Sequence, residues 1–184
     1  MISLRIYIIG SVGSGKTTLA RKLAHALQIS HYETDNFVWQ RMPLNDIRQT
    51  DSERNNHFLQ ALETQDWIIE GVHIGWTDKG LEKADLILLL DRPYHLRTKR
   101  FVLRYFRQKF GVEQANYKPS LKMLRKMFGW NRYFEETLKP EFLVKLEGFP
   151  EKTVILRKQA EIEEMISQLS MDKFGRFKDL NIKI

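Results

Sequence analysis

The chain has 184 residues, of which 42% are hydrophobic and 29% charged, with a formal net charge of +7 and no cysteine. That length suits one domain with its own core; the composition excludes a disordered chain, and the missing cysteines exclude disulfides, thiolate metal sites and cysteine nucleophiles. No apolar run reaches the ~18 to 20 residues needed to cross a bilayer, so a soluble protein is expected, with a reducing cytoplasm as the fitting location.

In chain order, the first apolar run is Leu4 to Ile9, ending at Gly10. Arg5 interrupts it and Gly-Lys-Thr-Thr follows where a signal peptide needs a cleavage site, so it reads as a strand buried on both faces. Leu19, Ala20, Leu23, Ala24 and Leu27 then recur at helical spacing. A short strand is expected around Ile29 to Thr34, and further strands over Trp67 to Ile69, Leu86 to Leu90 and Thr153 to Leu156. Helices are expected over 51–64, 77–84, 94–109, 120–146 with a break near Pro140, and 159–169. Strands alternating with helices imply a parallel sheet covered on both faces. No internal repeat or interdomain linker is visible, and 170–184 has no assignment.

Between the first strand and the first helix lies Gly10-Ser11-Val12-Gly13-Ser14-Gly15-Lys16-Thr17, followed by Thr18. It fits G-x-x-x-x-G-K-[ST] in the strand–turn–helix context that this phosphate-binding loop requires. Gly10, Gly13 and Gly15 let backbone N–H groups of Ser11, Ser14 and their neighbours wrap a phosphate, the helix start adds positive potential, Lys16 reaches the terminal phosphates, and the Thr17 hydroxyl can ligate Mg²⁺. Motors, GTPases and small-molecule kinases share this loop. The chain has no Asn-Lys-x-Asp for guanine and is short for a motor, which leaves a compact kinase as the best fit.

The loop, Thr34-Asp35-Asn36-Phe37-Val38-Trp39, Trp67-Ile68-Ile69-Glu70-Gly71, Ala84 to Pro93 and the arginines that follow resemble the adenylate kinase-like group of P-loop nucleoside and nucleotide kinases. Within it, the similarity points to the small bacterial proteins described as DNA topology modulation (FlaR-related) proteins. The resemblance implies an α/β, three-layer P-loop fold with a five-stranded parallel sheet in the order 2-3-1-4-5. It also implies one domain over 1–184, an acceptor region after the second strand and a basic lid insertion at about 92–145. Where relatives carry Asp-Gly-Asn-Tyr or Asp-Gly-Phe-Pro-Arg, this chain has Glu70-Gly71-Val72-His73.

Asp35 and Glu70 fall at strand ends, the edge of a parallel sheet where ligands bind. A carboxylate there serves Mg²⁺ through water or accepts the proton of an attacking hydroxyl; Asp91, at the end of the next strand, is an alternative. His73 could act as a base, yet a lone histidine is more often a hydrogen-bonded bystander.

The segment 92–145 holds 14 Lys and Arg against 4 Asp and Glu, so it carries all of the positive excess. Arg97, Arg100, Arg104 and Arg107 share one helical face, with Leu96, Leu103, Phe106 and Phe110 mainly on another. Lid arginines neutralise charge on a moving phosphoryl group, and the resemblance favours Arg100 and Arg104. Leu121, Leu124 and Phe128, then Trp130, Phe134 and Leu138, have the spacing of helix undersides. Tyr117, Lys122, Arg125, Lys126, Trp130, Arg132 and Tyr133 interleave cations with aromatics, a pattern that also suits nucleic acid.

The expected function is therefore ATP-dependent phosphoryl transfer to a small acceptor, with Lys16, Asp35, Glu70, Arg100 and Arg104 in catalysis and ATP and Mg²⁺ as cofactors. The alternative is a nucleotide-dependent nucleic-acid-binding or DNA topology regulator. Neither reading involves a membrane.

Overall fold

The computed structural model describes residues 3–40, 42, 46–112 and 120–171. Its sheet strands are β1 (Arg5–Gly10), β2 (His31–Glu33), β5 (Trp67–Gly71), β6 (Leu86–Leu90) and β7 (Thr153–Leu156). All neighbouring pairs are parallel and run in the order β2-β5-β1-β6-β7, which is the expected 2-3-1-4-5 arrangement. β3 (Trp39–Gln40) and β4 (Ile47–Arg48) form a separate antiparallel ribbon.

Alternation along β1 makes the layers, because successive side chains point to opposite faces. Ile6 and Ile8 enter a core with Leu19 and Leu23 of α1 (Lys16–Leu27) and Ile162, Met165 and Leu169 of α8 (Gln159–Met171). Tyr7 and Ile9 enter the opposite core. That core contains Phe58 and Leu62 of α3 (Asp51–Leu62), Leu81 of α4 (Asp78–Lys83), and Phe142 and Leu146 of α7 (Lys139–Leu146). α2 (Thr34–Val38) leaves the tip of β2, and α3 opens on a capping box between Thr50 and Glu53.

The basic region holds α5 (Tyr94–Lys109) and α6 (Leu121–Tyr133), and here two sequence expectations fail. On α5 the buried residues are Arg97, Phe101 and Tyr105, whereas Leu96, Leu103, Phe106 and Phe110 are exposed. Arg97 is therefore not part of a solvated stripe, and Arg107 points outward without it. The reason is pairing: the Arg97 guanidinium bonds Glu135 and lies over the rings of Phe134 and Tyr94 at 5.3 and 5.7 Å, so burial does not leave its charge uncompensated. On α6 the inner face is Met127 and Asn131, while Leu121, Phe128 and Trp130 are exposed; of the expected undersides, Phe134 is buried and Leu138 packs against the same core.

The break expected near Pro140 is a π-helical turn over Phe134–Leu138, in which the Lys139 N–H bonds the Phe134 carbonyl. Proline in a helix interior deprives a carbonyl of its donor and crowds the preceding turn. The wider turn places Pro140 at the start of α7 and turns Phe134 and Glu135 toward Arg97.

Candidate active site

The phosphate loop links β1 to α1 with Gly13 at φ 74° and Gly15 at φ 99°, conformations that residues with a side chain rarely adopt. Gly13 is doubly constrained, since a Cβ there would lie 2.5 Å from the Arg97 carbonyl oxygen. The loop and the start of α5 are thus in direct contact. Asn131 adds a second tie: Ser11 Oγ donates to its Oδ1 at 3.2 Å, and its Nδ2 donates to Thr98 Oγ1 at 3.0 Å. Asn131 is fully buried, and no sequence pattern marks it.

Glu70 reaches α1 from the end of β5. Its Oε1 accepts the Thr17 hydroxyl at 2.6 Å and its Oε2 lies 3.6 Å from Lys16 Nζ, and it is only 2% exposed. Buried carboxylates require such partners. On the same sheet face, Glu33 pairs with Glu70 in register and bonds Arg21 at 3.1 Å. His31 brings an imidazole nitrogen within 4.8 Å of both carboxylates. Lys16 and Arg21 already balance the two acids. Thr17 and Glu70 together offer hard oxygen donors beside the loop, a set that fits Mg²⁺. Asp91 is held by Lys139 at 2.6 Å and Arg157 at 3.4 Å and does not line the cleft.

The loop lies in a cleft of about 1300 Å³. At one end the walls are Thr18 and Lys22 of α1 with Gln159, Ile162 and Ile166 of α8. At the other they are Glu33, Asp35 and Trp39 with Val72, His73 and Gly75 from the segment after β5. Arg100, Arg104, Lys126, Trp130 and Tyr133 line the α5–α6 side. Arg100 donates to the Ser14 carbonyl and to Gln159 Oε1, both at 3.2 Å. Arg104 Nε is buried and has no hydrogen-bond partner among the described residues.

Asp35 is exposed, and its Oδ1 lies 3.9 Å from His73 Nε2. His73 is better held. Its Nδ1 shares a 2.9 Å hydrogen bond with Thr34 Oγ1, its ring tilts against Trp76 at 5.2 Å, and its carbonyl accepts the Thr77 hydroxyl at 2.6 Å. Burial pushes the His73 imidazole below its usual range; Asp35 acts in the opposite direction, and Arg54 and Lys16 reinforce the lowering. The sequence leaves His73 between a base and a hydrogen-bonded bystander; its place three residues after Glu70, on the sheet edge that also carries Asp35, is the signal for the former.

The structure thus brings Lys16, Thr17 and Glu70 together, sets Asp35, Arg100 and Arg104 around the same cleft, and leaves Arg97 and Asp91 in ion pairs. Of the interleaved aromatic and basic residues, Lys126, Trp130 and Tyr133 face the cleft, Arg132 bonds Glu136 at 2.8 Å, and Tyr117 lies outside the described residues.

This loop and sheet order are those of the three-layer P-loop NTPase fold. The shikimate kinase of Acinetobacter baumannii, solved in complex with shikimate, superposes with a TM-score of 0.54 at 16% identity, over 94% of this chain and 96% of that one. A protein from Eubacterium ventriosum described as uncharacterized superposes at 0.52 with 14% identity, over 94% and 99%. At these identities the likeness is one of fold. In sequence, the chain is 31% identical over 108 residues to the "Uncharacterized protein YqaC" of Bacillus subtilis (strain 168), a match covering 59% of this chain and 60% of that protein's length. No family model matches the chain. Among the described residues, no helix is long and apolar enough to cross a membrane.

Proposed function

We propose that the chain is an ATP-dependent phosphotransferase that moves the γ-phosphate of ATP to a hydroxyl of a small acceptor. The observation that carries this reading is the direct engagement of Lys16 and Thr17 by buried Glu70, in a cleft that continues past the loop to Asp35 and His73. A nucleotide bound along the loop has its base between α1 and α8, beside Arg100. The acceptor then occupies the end near Asp35, in line with the terminal phosphate. Thr17 and, through water, Glu70 would hold Mg²⁺, which when bound neutralises charge on the β- and γ-phosphates. The protein's own part is positioning and charge neutralisation by Lys16, Arg100 and Arg104, with Asp35 orienting the acceptor hydroxyl. The 92–145 segment acts in this reading as a lid that closes over phosphates.

The adenylate kinase-like resemblance and the shikimate kinase likeness in fold both support a small-molecule kinase and leave the acceptor open. The test is a screen of Mg-ATP consumption against nucleosides, nucleotides, shikimate and small polyols. Consumption stimulated by one class identifies the acceptor; no Mg-ATP binding, or no transfer to water or to any class, would remove the reading.

The second reading, a nucleotide-dependent nucleic-acid binder of the DNA topology modulation type, is favoured by the exposed Lys99, Arg107 and Arg125 on the outer faces of α5 and α6. A phosphate-tracking binder loses affinity steeply between 50 and 200 mM salt. DNA binding by this protein that is absent at physiological salt supports the kinase instead.

A further inference from the structure

We infer that His73 is the catalytic base of the transfer, taking the acceptor's proton on Nε2, with Thr34 orienting the ring through Nδ1 and Asp35 positioning the acceptor hydroxyl. This rests on the phosphotransferase reading and takes up the base role that the sequence offers His73 beside the bystander one.

The argument starts from how the two side chains are held. Asp35 has 61% of its side chain exposed, so water already satisfies it and little fixes its direction. His73 is fixed at both ends of its ring: Thr34, itself buried, occupies Nδ1, and Trp76 limits rotation. With Thr34 donating to Nδ1, the ring proton sits on Nε2 and faces Asp35; with Thr34 accepting from Nδ1–H, Nε2 presents a lone pair to the cleft. The second tautomer is the one a base requires, and the bond to Thr34 serves both without moving the ring.

The packing around Thr34 is specific to this arrangement. A Cβ on Gly71 would overlap Thr34 Oγ1, so glycine at the end of β5 lets Thr34 approach the segment that carries His73. The charged groups facing the ring are Asp35 on α2, Arg54 on α3 and Lys16 on α1, with Glu141 of α7 lining the same cleft. Burial and the two cations outweigh Asp35, so the ring is neutral at pH 7, the state in which it accepts a proton.

In the step itself, the acceptor hydroxyl oxygen forms a bond to Pγ while the bond from Pγ to the β–γ bridging oxygen breaks. The bridging oxygen leaves with ADP. The acceptor's proton passes to Nε2 of His73 and then to solvent.

The experiment compares wild type, His73→Gln, His73→Ala and, as a remote control, His57→Gln. Transfer from Mg-ATP to water and to a panel of nucleosides and small polyols is followed from pH 5.5 to 9, with Mg-ATP binding read separately by calorimetry. Wild-type rates should rise from low pH to a plateau, with a midpoint matching the His73 imidazole titration followed by NMR. His73→Gln should lose ~10²-fold or more in turnover, the usual contribution of a positioned base, with Mg-ATP affinity kept and the acidic limb gone. Added imidazole should restore part of the His73→Ala rate, increasingly as the pH rises. His57→Gln should match wild type. A His73→Gln enzyme with wild-type rate and pH limb overturns the assignment, as does a folded His73→Ala enzyme that imidazole leaves inactive. Wild-type protein that binds no Mg-ATP, or transfers to neither water nor any panel member, overturns the phosphotransferase reading instead, and it does so before any variant is considered.

Discussion

Glu70 and Thr17, on different elements and 53 positions apart, share a 2.6 Å hydrogen bond at the mouth of the phosphate loop. The hydroxyl that the loop motif dedicates to Mg²⁺ thus already has a buried carboxylate beside it, with Lys16 on that carboxylate's other oxygen. Glu70→Gln keeps an acceptor for Thr17 and removes the charge. Mg²⁺-dependent turnover should fall by ~10²-fold or more, the scale of losing one electrostatic stabiliser, while nucleotide affinity without Mg²⁺ is retained. Calorimetry with and without Mg²⁺ checks this, and an unchanged Mg²⁺ dependence transfers the role to Asp35.

Binding at the loop should stabilise the fold. At ~100 times Kd a ligand adds about 2.7 kcal/mol, which for a domain of this size raises Tm by roughly 5 to 11 °C. Lys16→Ala should abolish most of that rise with Mg-ATP or Mg-ADP in differential scanning fluorimetry. A wild-type rise in the mutant would take the loop out of the binding site.

Gly71→Ala tests the support beneath the acceptor end. The added methyl meets Thr34, and relief requires moving the side chain that holds His73 Nδ1. Overpacking of this kind costs ~1 to 3 kcal/mol. Acceptor turnover should fall further than ATP affinity, because Lys16 and Thr17 lie on α1, away from the displaced threonine. Equal losses in both would place the damage in the sheet as a whole.

The strands β1, β5 and β6 were legible because their sequences are largely apolar on both faces and nearly all buried, and a short apolar run bounded by turn signals has few other fates. The phosphate loop was legible because its function requires residues adjacent in sequence. Orientation within α5 and α6 was not. Helical spacing places Leu96, Leu103, Phe106 and Phe110 on one side but carries no information on which side faces in, and hydrophobicity is a poor guide where an arginine brings its own partner. Arg97 is buried because Glu135, 38 positions away, and Phe134 surround it. The His73–Thr34 and Ser11–Asn131 contacts span 39 and 120 positions and exist only once the sheet is assembled.

Stability should depend on pH in two separate windows. Burial lowers the pKa of His31 and of His73 below that of a free imidazole, so the unfolded chain takes up protons near pH ~6.5 while the native protein does not. Stability is therefore full above that value and falls as the pH drops through the native pKa values. Glu53, with hydrogen bonds from Thr50, and Glu161, with backbone N–H groups of Lys158 and Arg157, have lowered pKa values. Their contribution is present above the ordinary carboxylate range and is lost only in stronger acid. Urea unfolding at pH 7.5 and 5.5 should show the first loss, reduced in His31→Gln and further in the His31→Gln, His73→Gln double variant. An undiminished loss in the double variant would assign it to other groups.

The arginines of α5 should divide by environment. Arg97 is 1% exposed, and leaving its charge without Glu135 resembles breaking a buried pair, which costs ~3 to 5 kcal/mol. Glu135 is 36% exposed, so Glu135→Gln should cost less than that range. It should lower Tm while leaving kcat nearly unchanged at a temperature where the protein is folded. Arg104 has the opposite profile: it lines the cleft with an unpartnered Nε and has nothing in the described structure to hold up. Arg104→Met should leave Tm in place and reduce kcat by ~10²-fold or more, with a smaller change in acceptor KM, as expected for an interaction that strengthens in the transition state. Arg100 falls between the two, because its bonds to Ser14 and Gln159 tie α5 to the loop and to α8; Arg100→Met should weaken nucleotide binding as well as turnover. Measuring Tm, nucleotide Kd and kcat on all three variants separates the roles. A large kcat loss in Glu135→Gln at full folding would add Arg97 to the catalytic set.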